Sequence, residues 1–161
     1  MRNLNLVAVA GLALLGACTQ AAAPSAKTSA ATGVTEADAA KVTDATLATW
    51  QSMDAAKIKA LYAPDVVGFD YATAPLITDK AAWDKAQDAF AASKTDKISV
   101  TAQKIQIVGP DTFIFSMSGN NTSTAMPKNN GELRCTDVFH RDAAGAWLIV
   151  NEHCSAPPKT A

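Results

Sequence analysis

From residue 97 to residue 155 the chain alternates apolar and polar residues with period two, in four runs: "KISVTAQKIQIVG", "TFIFSMSGNNTST", "ELRCTDVFHRD" and "AWLIVNEHCS". Such alternation puts every second side chain on one face of a strand, so this half of the chain predicts half-buried strands. The intervening turns are too short for crossover helices, which predicts an antiparallel meander. In the first run the apolar parity switches from Ile98, Val100 and Ala102 to Ile105 and Ile107. One extra residue near Gln103 accounts for the switch and predicts a bulge that bends the sheet.

Before residue 97 the period is helical. Thr35 precedes "EADAAKVTDATLATWQSM", with acidic residues in the first turn and Val42, Thr46, Trp50 and Met53 spaced by three and four, the pattern of a capped amphipathic helix. Asp54 caps a shorter helix, "AAKIKALYA", with Ile58, Leu61 and Tyr62 on one stripe and Pro64 as its stop. A strand, "VVGFDY", follows, broken by Pro75, and Thr78 opens a third helix with Ala82, Trp83, Ala86, Ala89 and Phe90 on one face. Three N-terminal helices ahead of a curved, mainly antiparallel sheet predict an α+β fold, a cone with the helices on one face and an open mouth.

The N-terminus has different chemistry. A basic start and a short apolar run, "LNLVAVAGLALLGA", ending in small residues read as a signal peptide over 1–17, too short to remain as a bilayer span. The stretch "LLGAC" resembles a bacterial lipobox, which implies lipidation of Cys18; Thr19, in place of an Asp, implies an outer-membrane anchor facing the periplasm. Residues 18–33, rich in Ala, Ser and Thr, read as a tether that holds a domain over 34–158 about 20 Å from the bilayer. The net charge of −1 and the lack of a basic cluster exclude the usual nucleic-acid binder.

The segment "CTDVFHRDAAGAWLIVNEHCSAP" carries two cysteines and both histidines. With a turn at 142–145 and Arg141 opposite Ala146, one face of the hairpin holds Cys135, Asp137, Phe139, Leu148, Val150, Glu152 and Cys154. The other holds Arg134, Thr136, Val138, His140, Trp147, Ile149, Asn151 and His153. Cysteines and histidines then diverge, so no zinc site and no cofactor are expected. Cys135 and Cys154 fall diagonally, about 7–8 Å apart, which leaves a disulfide and two buried thiols both open. Asp137 and Glu152 share the more apolar face, a costly placement that marks a pocket. Asp70, at the end of the strand in the helical half, points inward by the same parity.

Together with "IQIVGPDTFIFSMSG", this hairpin resembles the association domain of calcium/calmodulin-dependent kinase II, its bacterial relatives and the SnoaL-like proteins, all of the nuclear transport factor 2-like superfamily. The likeness spans 35–157 and implies a cone of three helices on a curved sheet, and a homodimer formed through the sheet; on the second face of the hairpin, beside the partly exposed histidines, Trp147, Val138 and Ile149 are available to support such a dimer. "YAPDVVGFD" and "DVFHRDAAG" are also similar to segments of ketosteroid isomerases, which would make Asp70 a catalytic base and Asp137 a protonated donor. Thr46 stands where those isomerases place a donor Tyr, and Glu152 adds negative charge near an enolate. Asp137 also stands where association domains carry a ligand-contacting Arg.

The resulting expectation is a non-catalytic, lipid-anchored domain. Its pocket, lined by Trp50, Tyr62, Asp70, Phe115, Asp137 and Glu152, takes a small, largely apolar molecule. The alternatives are a proton-transfer isomerase using Asp70 and Asp137, and a dimeric interaction module without a ligand.

Overall fold

The computed structural model describes residues 33–70 and 75–156. The expected signal segment 1–17, the expected tether through residue 32 and Cys18, the residue expected to be lipidated, lie outside the described residues. Three helices, α1 (Glu36–Gln51), α2 (Ala55–Lys59) and α3 (Lys80–Ala92), accompany five strands: β1 (Tyr62–Phe69), β2 (Lys97–Gly109), β3 (Thr112–Thr122), β4 (Gly131–Arg141) and β5 (Trp147–Ser155). The fold is α+β, with the strands in one curved, unclosed sheet in the order β1-β5-β4-β3-β2. Strands β2 to β5 form the antiparallel meander, and β1 pairs parallel with β5 at the edge. Among the described residues no helix is long and apolar enough to cross a membrane.

Each of these three α-helices starts on a side-chain oxygen that accepts an otherwise unpaired backbone N–H. Thr35 takes Asp38, Asp54 takes Ala56 and Lys57, and Asp79, one residue after the expected Thr78, takes Ala82. On α1 the buried stripe is Ala39, Thr43, Thr46 and Trp50, with Val42 only half-buried. On α3 it is Trp83, Ala86 and Gln87, while Ala82 and Ala89 face solvent. Helix α1 packs against β2, and α3 against α2 and β1.

The first strand and the sheet bulge also differ from the sequence reading, and β1 ends at Phe69 rather than running on through Asp70. Helix α2 ends at Lys59, so Tyr62 and Ala63 belong to β1 and Pro64 lies within that strand. An edge strand tolerates a missing N–H, so the proline does not act as a stop here. In β2 the pairing with β3 shifts between Val100 and Ala102, placing the bulge at Thr101, two residues before Gln103. Gly119 sits opposite this bend, where a Cβ would stand 2.4 Å from the Ser99 carbonyl oxygen, a contact only glycine avoids.

The hairpin register is also corrected. Arg141 pairs with Trp147 rather than Ala146, and beyond Val138 the register moves by one more residue because Val150 is left out of the ladder. Cys135 therefore stands directly opposite Cys154, and Asp137 directly opposite Glu152. The extra residue reverses parity along β5: Ile149 is fully buried, opposite Phe139, and Trp147 packs on Phe113 at 5.0 Å. Leu148 leaves the inner face and pairs with His140. Trp147 and Ile149 thus turn away from the outer surface, to which a dimer role had assigned them.

Three rungs cross the inner face of the sheet. The first is apolar: Phe113, Phe139, Ile149 and Tyr62, with Phe113 and Phe139 stacked at 4.7 Å. The second runs Phe115, Asp137, Glu152, Gly68, and the third Met117, Cys135, Cys154.

Candidate functional site

The second rung holds the chemistry. Phe115 and Asp137 are fully buried, and Glu152, Tyr62, Trp50 and Asp70 are 3%, 4%, 6% and 8% exposed. The six residues expected to line a pocket are therefore all interior. Gly68 lets β1 reach this rung: a Cβ there would lie 1.9 Å from the Glu152 carbonyl oxygen. That close approach carries Asp70, the residue after β1 rather than within it, toward Glu152, whose charge it feels.

A hydrogen-bonded chain joins α1 to the sheet. The Trp50 indole Nε1–H donates to the Tyr62 hydroxyl (3.2 Å), which donates to Glu152 Oε2 (2.8 Å). Bonds to a charged acceptor contribute about 1.5–3 kcal/mol, and here the donor spares Glu152 part of its desolvation cost.

Asp137 has no such help. Neither of its carboxyl oxygens receives a hydrogen bond, although both are shielded from solvent. Its neighbour is Glu152, and two carboxylates can only repel; a retained proton turns them into donor and acceptor. Burial pushes the Asp137 carboxyl well above its ordinary range, and the charge of Glu152 and the bond to it add to the shift. Burial likewise drives Glu152 up to about 8, with the charge of Asp70 adding to it and the bonds from Tyr62 and Asp137 opposing it. Burial, then the Glu152 and Asp137 charges, raise the Tyr62 phenol well above its usual value, so it stays a neutral donor. The pair therefore keeps a proton at neutral pH, with Asp137 donating to Glu152, and titrates as a unit. The other Asp137 oxygen still lacks a donor.

Two buried polar groups of α3 escaped the sequence reading. Trp83, whose ring lies 5.3 Å from that of Tyr62, has an unpartnered buried Nε1, and Gln87, one turn further along α3, has an unpartnered Nε2. The signal was a Gln four residues after a Trp on an apolar stripe. Thr46 is buried on α1.

Cys135 and Cys154 are joined by a disulfide, with Cα atoms 4.1 Å apart. The histidines are exposed on the other face: the His140 Nδ1 is 3.0 Å from the Thr112 hydroxyl, and the His153 ring lies 5.4 Å from Phe69. A separate cleft of about 370 Å³ lies between the start of α1 and the hairpin, lined by residues that include Asp38, Lys41, Arg141 and Trp147. Both its cations are already paired, Lys41 with Asp38 and Arg141 with Asp111.

A curved, unclosed sheet with its helices at the N-terminal side is the fold of the nuclear transport factor 2-like class. Within it, the SnoaL-like domain profile matches residues 39–159, and the chain belongs to that family. The structure is similar to that of a Xanthomonas campestris protein assigned as a calcium/calmodulin-dependent protein kinase II association domain (23% identity, TM-score 0.66, covering 79% of this chain and 91% of that one). It is also similar to a nuclear transport factor 2-like protein of unknown function from Pseudomonas putida (22%, 0.63, 78% and 90%). A Shewanella frigidimarina protein assigned as a ketosteroid isomerase is similar as well (22%, 0.61, 73% and 94%). At these identities the likeness speaks for the fold alone. No curated protein sequence matches this one.

Proposed function

We propose that this domain is a lipid-anchored, periplasm-facing module that binds a small, largely apolar molecule bearing a hydroxyl or an amine, and does not transform it. The observation that carries the reading is the Asp137 carboxyl, fully buried with an oxygen that no protein donor reaches. An unsatisfied buried acceptor costs about 1–3 kcal/mol, a cost that a donor on a bound molecule offsets. Trp83 Nε1 and Gln87 Nε2 supply the converse, donors in need of an acceptor, and Phe115, Trp50 and Tyr62 supply apolar contact. Native mass spectrometry of the full chain extracted from its own membrane tests this. A discrete bound mass that disappears in Asp137→Leu is expected, and bare protein alone overturns it.

A second reading, proton transfer within one substrate, is favoured by the proximity of Asp70 to Glu152 and by the proton held on Asp137. Isomerisation of an enone steroid, lost in Asp70→Asn, supports it; an inactive wild-type protein removes it for that substrate class. A homodimer through the outer face of the sheet, where Phe69 is 40% exposed beside His153, belongs to the proposal. Equilibrium sedimentation that gives only monomer contradicts it.

A further inference from the structure

The third rung lies two residues along each strand from the carboxyl pair and on the same face, so the disulfide abuts Asp137 and Glu152. The Cys154 sulfur and one oxygen from each carboxyl all lie within 4.8 Å of one another. In a tetrahedral site with metal–sulfur near 2.3 Å and metal–oxygen near 2.0 Å, such atoms stand roughly 3.3–3.6 Å apart, so convergence needs about 1 Å. As the chain stands, Cys154 cannot ligate, because its sulfur is bonded to Cys135. Independently of the cluster, Asp137 is fully buried with no donor on its oxygens, an environment that calls for a cation or a proton.

We propose that Cys154, Asp137 and Glu152 form a site for a divalent transition ion such as zinc, opened when the Cys135–Cys154 bond is reduced. The reductant is a dithiol: its two electrons break the sulfur–sulfur bond, its two protons go to the two sulfurs, and it leaves as its own disulfide. Cys154 is half-buried and Cys135 is buried. On metal binding the Cys154 thiol releases its proton, and the proton shared by the carboxyls leaves with it. One sulfur and two oxygens suit zinc and leave a fourth position open. Tyr62, donating to Glu152 Oε2, holds that ligand in place as outer partners of metal carboxylates do. The site shares two residues with the small-molecule reading but does not rest on it, because only the metal requires a free Cys154.

Cobalt(II) titration of the full chain, followed by the thiolate-to-cobalt charge-transfer band, tests this. Cys135→Ser frees Cys154 without a reductant, and Cys154→Ser frees only Cys135; both retain Cys18, so any contribution from that residue is the same in each. The band is expected in Cys135→Ser and in reduced wild type, and not in Cys154→Ser or in the oxidised protein. Equal bands in the two serine variants, or none in either while both keep the wild-type circular dichroism, overturn the proposal. If a serine variant does not fold, reduced wild type is compared with reduced Asp137→Asn, where loss of the band supports the site and its persistence overturns it.

Discussion

Two adjacent rungs of the same sheet are equally buried and energetically opposite. Phe113, Phe139, Ile149 and Tyr62 fill the first rung with stacked rings and aliphatic surface. One step along the strands, Asp137 and Glu152 occupy equivalent inward positions, and burial there works against their charges. Packing stabilises the first rung whatever the pH, whereas the second is tolerable only while protons, or a bound partner, neutralise it. The stable rung therefore holds the costly one in place, and Tyr62 ties them, with its ring in one and its hydroxyl in the other.

Breaking the apolar rung has the largest effect. Phe139→Ala should destabilise the domain by about 3–5 kcal/mol through lost transfer energy and a cavity, read as a lowered urea midpoint. Next is the disulfide on the far side, which closes a loop of sequence separation 19. Replacing both Cys135 and Cys154 by Ser should cost about 3 kcal/mol, with reductant having no further effect on the double variant.

The carboxyl rung is separated from its neighbours by pH. With Glu152 raised to about 8 against an ordinary value of 4.5, the folded Asp137–Glu152 pair keeps a proton that the unfolded chain has lost, so the native state binds more protons inside that window. Its contribution to stability is complete below pH 4.5 and is lost as pH rises to about 8, with a slope of up to about 1.4 kcal/mol per pH unit. Urea midpoints from pH 5 to 9 should fall more steeply in wild type than in Glu152→Gln, and parallel curves would refute the raised value. The smallest change is Tyr62→Phe, expected to cost about 1–2 kcal/mol by removing the donor from Glu152. That loss should shrink in a Glu152→Leu background, where no acceptor remains.

The period-two runs carried the sheet well: the first coincides with β2, and the others match β3, β4 and β5 to within one or two residues. Asp137 and Glu152 were legible because a charged residue on an apolar parity is conspicuous. The β5 bulge was not, since Trp147, Leu148, Ile149 and Val150 are all apolar and parity carries no information across them. Without that bulge the cysteines look diagonal, when they are directly opposed. Tyr62 read as helical because it continues the stripe of Ile58, and only pairing with β5 makes it a strand residue. The tie from Tyr62 to Glu152 spans 90 residues, and no local pattern encodes it.

That span also sets an order of assembly. Among the described residues β1 is made early, but the strand it pairs with in the sheet is β5, which follows all the others in the chain. The entropy of closing so long a loop is recovered only after the β4–β5 hairpin exists, which places the interior among the slow, late events of folding. A chain ending before Trp147 lacks Glu152, leaves β1 without a strand to pair with and bares the edge of β4. Such a product should pair with its own kind and aggregate rather than settle as a smaller domain.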